Sequence, residues 1–277
     1  MYLSFIFTLL IILLLNFLLK KKKFLLNFTG EKHQIYFSNK NIPLSGGIVI
    51  FILSFYFLDQ SLLQIILLSL IFLVGLMSDL KLLKSPYLRI ILQIISVFVI
   101  INFIDIYLIN TRVNLLDNLL KYKFFNLCFT CFCVLIIING TNFIDGVNNS
   151  ALGYYIVISL ILINFESNKV LSISIINISN LVIILITLMF FNFFNKLYLG
   201  DNGSCQLGLL FSILLIQLYI DNQFLSPFYI INLLWYPAFE NLFSIFRKLT
   251  FSRSPTKADT NHLHHLIFFK LKQLKVF

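Results

Sequence analysis

A bundle of membrane-spanning α-helices is the fold class this sequence predicts, on three observations. The 277 residues are 59% hydrophobic and only 12% charged, whereas an ordinary soluble domain has about 25% charged residues. The apolar residues run in long continuous blocks separated by short polar stretches, and about 20 such residues cross a bilayer as a helix. The blocks lack period-two alternation, so their backbone groups are satisfied within helices and not in a closed barrel. The same composition excludes a disordered chain. With 10 Gly, 5 Pro and no short repeat, collagen-like and low-complexity classes are excluded too.

Nine apolar blocks can be read, at about 2–19, 45–58, 60–77, 88–108, 124–144, 151–164, 170–191, 205–220 and 227–246. The expectation is an all-α, polytopic bundle of about nine transmembrane helices forming one domain over residues 1–277. Polar stretches at about 20–44, 78–89, 145–150, 192–204 and 247–277 then share one side of the membrane, and they hold 17 of the 21 Lys and Arg residues. By the positive-inside rule that side is cytoplasmic, with the N-terminus outside and the C-terminus inside. Lys20 to Lys23 follow the first apolar block. A signal peptide carries its charge before the apolar core, so the block reads as a retained helix. The net charge of +10 is explained by topology and by anionic headgroups, and no nucleic-acid partner is expected. Cys128, Cys131, Cys133 and Cys205 lie in apolar blocks without His or acidic neighbours at the same depth, and read as inert buried thiols.

Four polar motifs fall on the cytoplasmic side. Gly200-Asp201-Asn202-Gly203-Ser204 joins two apolar blocks. Its glycines allow a tight turn close to a ligand, and its Asp is a hard oxygen ligand for Mg²⁺. A plain helix-to-helix turn accounts for the pentapeptide equally well. Asn139, Asn142 and Asp145 recur every third residue and descend one side of a helix end, which should face protein or water and not lipid. A polar packing stripe is the structural alternative. Ser78-Asp79 is followed by Pro86, Arg89 and Gln93; taken alone, this is a loop with a snorkelling Arg. Finally, Asp259-Thr-Asn-His262-Leu-His264-His265 follows Arg247, Lys248, Arg253 and Lys257. H-x-H-H is not a familiar zinc spacing, so phosphate contact fits better, with a solvated tail as the alternative.

Together and in this order, the four motifs resemble the polyprenyl-phosphate N-acetylhexosamine-1-phosphate transferases. That membrane family is related to the phospho-N-acetylmuramoyl-pentapeptide transferase of peptidoglycan synthesis. The likeness runs from Pro43-Leu-Ser-Gly46-Gly47, similar to the family's proline and double-glycine element, to His265. Ser254-Pro255-Thr-Lys-Ala258-Asp259 leading into the histidines is closer to the sugar-1-phosphate branch.

The resemblance implies a multi-pass enzyme of the inner (plasma) membrane whose active site faces the cytoplasm. It would transfer a sugar-1-phosphate from a UDP-N-acetylamino sugar to polyprenyl (undecaprenyl) phosphate, releasing UMP and starting a cell-envelope glycan. It further implies Asp201 as the ligand of Mg²⁺, with Mn²⁺ as an alternative. Asn142, Asp145, Asn192 and Gly200 would lie at the nucleotide sugar, Asp79 beside the lipid phosphate, and Arg247, His262, His264 and His265 at the diphosphate. The implied partners are the two substrates and membrane lipid, and a homodimer is compatible with them. GlcNAc, GalNAc and 6-deoxy-HexNAc all remain open as the sugar.

Two features depart from the family. Ser78-Asp79 stands where paired aspartates are usual, and Leu266 to Phe277 is too short and too charged to form a further spanning helix. They motivate a second reading, an inactive relative that binds lipid phosphate or UDP-sugar. A transporter would instead carry polar residues near the midplane on broken helices; here the acids of the four motifs gather at one membrane face, and Glu240 lies within the ninth apolar block.

Overall fold

The computed structural model describes residues 2–27, 41–57, 62–167 and 178–250, with residues 263, 266, 267 and 270. Among the described residues the chain forms helices and no strand. In order these are α1 (Tyr2–Lys22), α2 (Gly46–Phe57), α3 (Leu62–Asp79), α4 (Pro86–Ile104), α5 (Asn114–Leu120) and α6 (Lys123–Ile144). They continue with α7 (Ser150–Ser167), α8 (Ile178–Phe193), α9 (Gly200–Asp221), α10 (Pro227–Leu233) and α11 (Trp235–Thr250). Among the described residues, four stretches are long and apolar enough to cross a bilayer: Ser4–Lys22, Pro86–Ile104, Lys123–Ile144 and Gly200–Asp221. Ile65–Asp79, Ser150–Ile163 and Ile178–Phe193 are shorter apolar helices.

The outer surface explains the composition. Leu14 and Phe17 of α1, Ile95 of α4, Phe190 and Phe193 of α8, and Phe243 and Phe246 of α11 are all exposed. In water so much open apolar surface would be an association hazard; against acyl chains it is the expected face of an integral membrane protein.

At the centre stands α9, packed against α6, α3 and α2. It is apolar on every side, as a helix surrounded by protein should be. Leu207, Phe211, Leu214 and Leu218 join one core with Leu152, Tyr155, Leu185 and Leu188. On its other side Leu209 and Ile216 join Ile71, Val97, Ile100, Val134 and Ile138. Small residues let the helices approach closely, as is common in membranes. A Cβ on Gly208 would lie 2.7 Å from the Ile138 Cα, and one on Gly140 would run into the Pro237 carbonyl.

The ninth apolar block differs from expectation: it divides into α10 and α11 around Leu234. Pro237 is the cause. In an unbroken helix it would lack the N–H for the carbonyl of Leu233 and would press its ring against that group. The freed Leu233 carbonyl accepts a hydrogen bond from the Tyr154 hydroxyl at 2.6 Å. Beyond the break, α11 turns its polar side inward. Glu240, Asn241, Ser244 and Lys248 are buried while Phe239, Leu242, Phe243 and Leu249 face outward, and Asn241 donates to the Ile136 carbonyl of α6.

The short helix α5 was also not among the nine blocks. Its Asp117 accepts from both the backbone N–H and the hydroxyl of Thr111, which starts the helix within the polar stretch. The cysteines are free, as expected, but Cys128 is exposed on α6.

One more tie fixes the end of the bundle discussed next. Tyr198 donates to the Pro43 carbonyl, while Gly46 and Gly47 donate to the carbonyls of Tyr198 and Leu199. Buried Asn16 of α1 donates to the Lys196 carbonyl and accepts from the Ser45 hydroxyl. The loop before α9, the start of α2 and α1 are thereby joined.

Candidate active site

Each expected site residue that the structure describes lies at this one end of the bundle. Asp79 ends α3, Arg89 is in the first turn of α4, and Asn142 and Asp145 lie in the last turn of α6 and just past it. Asn192 is in the last turn of α8, Gly200 and Asp201 open α9, and Arg247 is in the last turn of α11. Asp105, Asp117 and Asp221 belong to the opposite helix ends.

Asp201 is the point of convergence. Its Oδ2 accepts from the Ser78 hydroxyl at 2.6 Å and from Arg89 Nη1 at 2.8 Å. Its Oδ1 accepts from Asn142 Nδ2 at 2.7 Å. Four helices thus meet on one half-buried carboxylate. Asn142 also donates to Ser204, which is fully buried one turn into α9. Both Asp79 oxygens accept backbone N–H groups of α9, from Asp201 at 2.8 Å and Asn202 at 3.1 Å.

The chain can make this arrangement because α9 starts abruptly. Gly200 has φ of +76°, a conformation that only glycine adopts without penalty, and a Cβ there would fall 2.8 Å from Asp79 Oδ2. Buried Gln206, one turn on, donates to the Gly47 carbonyl and to Asn202 Oδ1, fixing the first turn of α9 to the start of α2.

Asp145 lies just past α6, beside the cluster. Loss of solvent, and then the Asp201 and Asp79 carboxylates, push its carboxyl well above the ordinary value of 3.8. Three acids close together at a helix N-terminus and one Arg form a strongly polar site next to an apolar surface.

Asn192 braces this end instead of opening into it. Its Oδ1 accepts from the Asn149 N–H and its Nδ2 donates to the Leu197 carbonyl, tying the loop after α6 to the loop before α9. Arg247 stacks over Phe243 of its own helix at 5.8 Å, while the adjacent Lys248 is buried, 5.9 Å over the ring of Phe143 beside Asn142. Asn139 bonds back to the Leu135 carbonyl and does not reach the cluster. His262, His264 and His265 lie outside the described residues. Leu263 between them donates its N–H to buried Glu240 at 2.8 Å.

Sequence reasoning missed Gln206 as part of the site, since a Gln inside an apolar helix carries no motif, and it read Ser204 only as the end of the 200–204 pentapeptide. Ser78 appeared only as a departure from a pattern, yet it is a direct partner of Asp201.

Among the described residues no three His, Cys, Asp or Glu side chains could hold a metal ion by themselves. Besides Arg89, the groups around Asp201 are oxygen and nitrogen groups of Asp, Ser and Asn. Mg²⁺ needs no protein cage, since it usually takes one or two carboxylates and completes its shell with water and substrate phosphate. A single accessible carboxylate at this position fits that mode.

A protein of Bacillus subtilis (strain 168) named "Probable undecaprenyl-phosphate N-acetylglucosaminyl 1-phosphate transferase" is 33% identical over 135 residues. The alignment covers 47% of this chain and 37% of that relative. The sequence profile of glycosyl transferase family 4 matches residues 61–219, over half of the chain and the whole stretch from Ser78 to Ser204 that builds the Asp201 cluster. The chain belongs to glycosyl transferase family 4.

Proposed function

We propose that this protein transfers a sugar-1-phosphate, an N-acetylhexosamine-1-phosphate, from a UDP-sugar to polyprenyl (undecaprenyl) phosphate. In this reading the chain crosses the inner (plasma) membrane about nine times and works at its cytoplasmic face. A phosphate oxygen of the lipid attacks the β-phosphorus of the nucleotide sugar. The new P–O bond gives the polyprenyl-diphospho-sugar, and the bond to the α-phosphate oxygen breaks, releasing UMP. The observation that carries the reading is the convergence of Ser78, Arg89 and Asn142 on Asp201 at the N-terminal end of the central helix. The B. subtilis relative's name supports the same substrates.

Within this reading Asp201 holds Mg²⁺ or Mn²⁺, which when bound neutralises charge on the transferring phosphoryl group. Arg89 adds positive charge to which phosphates are drawn. Asn142 and Asp145 contact the nucleotide sugar, and the histidine segment with Arg247 contacts the diphosphate. No strong base is needed, since a phosphate monoester has a second pKa of about 6 and is largely dianionic at pH 7. Placement of the two substrates is then the main contribution of the protein.

The test is release of UMP from a panel of UDP-GlcNAc, UDP-GalNAc and UDP-6-deoxy-HexNAc, using membranes with undecaprenyl phosphate and Mg²⁺. Lipid-dependent UMP release supports the reading and names the donor. Binding of UDP-sugar without release would favour the inactive relative, for which Ser78 is the motivating residue.

A further inference from the structure

We propose that Asp79 is a positioning residue: from the end of α3 it caps α9 and thereby fixes the aim of Asp201. The residue at the α9 N-cap position, Leu199, is in the right-handed helical conformation and provides no side-chain cap. A helix start left so would expose its first N–H groups without partners. The Asp79 carboxylate takes two of them, Oδ1 from Asp201 and Oδ2 from Asn202. A negative group is also favoured at that end of the helix dipole.

The packing leaves this cap little slack. One turn before Asp79, a Cβ on Gly75 would lie 2.5 Å from the Cα of Asn202, and a Cβ on Gly200 would crowd the Asp79 carboxylate. Helix α3 therefore meets the first turn of α9 at backbone distance. The neighbouring Ser78 completes the grip. The dipeptide Ser78-Asp79 holds a single residue twice, Asp79 by the backbone N–H of Asp201 and Ser78 by its carboxylate. A change of a few tenths of an ångström between α3 and α9 would reach both contacts.

The cap itself does not depend on the reaction; its consequence for the rate rests on the transferase reading. The experiment is hydrogen exchange by mass spectrometry over peptides spanning 196–206 of the full chain in lipid nanodiscs, with UMP release measured on the same samples. Asp79→Ala is expected to speed exchange of the Asp201 and Asn202 amides about tenfold, the usual scale for losing an N-cap. Asp79→Asn, which keeps one acceptor oxygen, should lie between it and the wild type in both exchange and UMP release. Asp201→Asn should lose UMP release with its amide protection intact.

Unchanged protection in Asp79→Ala overturns the cap. Asp79→Asn with wild-type protection but no more activity than Asp79→Ala overturns positioning in favour of direct contact with a substrate. A wild type that releases no UMP from any UDP-sugar overturns the transferase reading, and the exchange data still decide the cap.

Discussion

Arg89 Nη1 lies 2.8 Å from Oδ2 of Asp201, although the two residues are 112 positions apart and on different helices. A snorkelling cation would point to headgroups. This one points into the site, with its Nε buried and without a partner among the described residues. Arg89→Gln is expected to lower kcat/KM for UMP release about ten- to hundredfold, the scale of one charge-assisted hydrogen bond. Arg89→Lys should fall between, since it keeps the charge but not the planar fork. Initial rates across UDP-sugar and Mg²⁺ concentrations check both.

Ser78 gives Asp201 a neutral donor where a second acid is usual in the family. Ser78→Asp would put another carboxylate at the position of a hydroxyl that lies 2.6 Å from Oδ2. It should tighten Mn²⁺ binding, read by electron paramagnetic resonance, while changing the rate by less than about tenfold. Weaker Mn²⁺ binding in that variant would show that Arg89 and not a cation answers the added charge.

Close helix packing yields a paired stability test. Gly140→Ala drives a methyl into the Pro237 carbonyl, whereas nothing lies within 4 Å of a Cβ on Gly153. Overpacking of this kind costs about 1–3 kcal/mol, so Gly140→Ala should lower the melting temperature and UMP release together. Gly153→Ala, in the open part of α7, should raise the melting temperature slightly, by about 0.5–1 kcal/mol of helix preference. Thermal unfolding in detergent distinguishes them.

The pH dependence follows from Asp145. Its carboxyl titrates well above 3.8 in the folded chain because of lost solvent and then Asp201 and Asp79. The folded state keeps a proton that the unfolded chain releases, so this residue weakens folding as pH rises from about 4 toward the raised value. Asp145→Asn keeps the shape without the charge. Its melting temperature should match the wild type near pH 4 and exceed it at pH 8, by about 2–4 °C per kcal/mol relieved. The opposite trend would mean that Asp145 is ionised and paired.

The membrane bundle and the placing of Asp201 and Asn142 at one end of it were legible in the sequence, because polar residues are conspicuous against so apolar a background; that the two side chains bond each other was not. Asp79 was legible as a site residue but not as a cap, since capping in trans depends on how α3 crosses α9. Arg89 read as a snorkelling side chain for the same reason: its partner is set by a helix crossing that spacing along one helix cannot show. The break at Leu234 was hidden because Pro237 sits inside an unbroken apolar run, and only the bond from Tyr154 to the Leu233 carbonyl reveals how the break is satisfied. Asn16 was hidden too, a lone amide in the first apolar block.

That amide has a consequence for how the protein is made. Asn16 finds its carbonyl partner at Lys196, 180 residues later. At a synthesis speed of roughly 5–20 residues per second, the partner leaves the ribosome about ten to forty seconds after Asn16 does. Ser45, only 29 residues on, supplies a donor to the Asn16 oxygen much earlier, so in that interval only the Nδ2 donor awaits its partner. The tie from α1 to the loop before α9 is therefore completed only after the eighth helix is laid down, which makes closure of this end of the bundle a late event in synthesis.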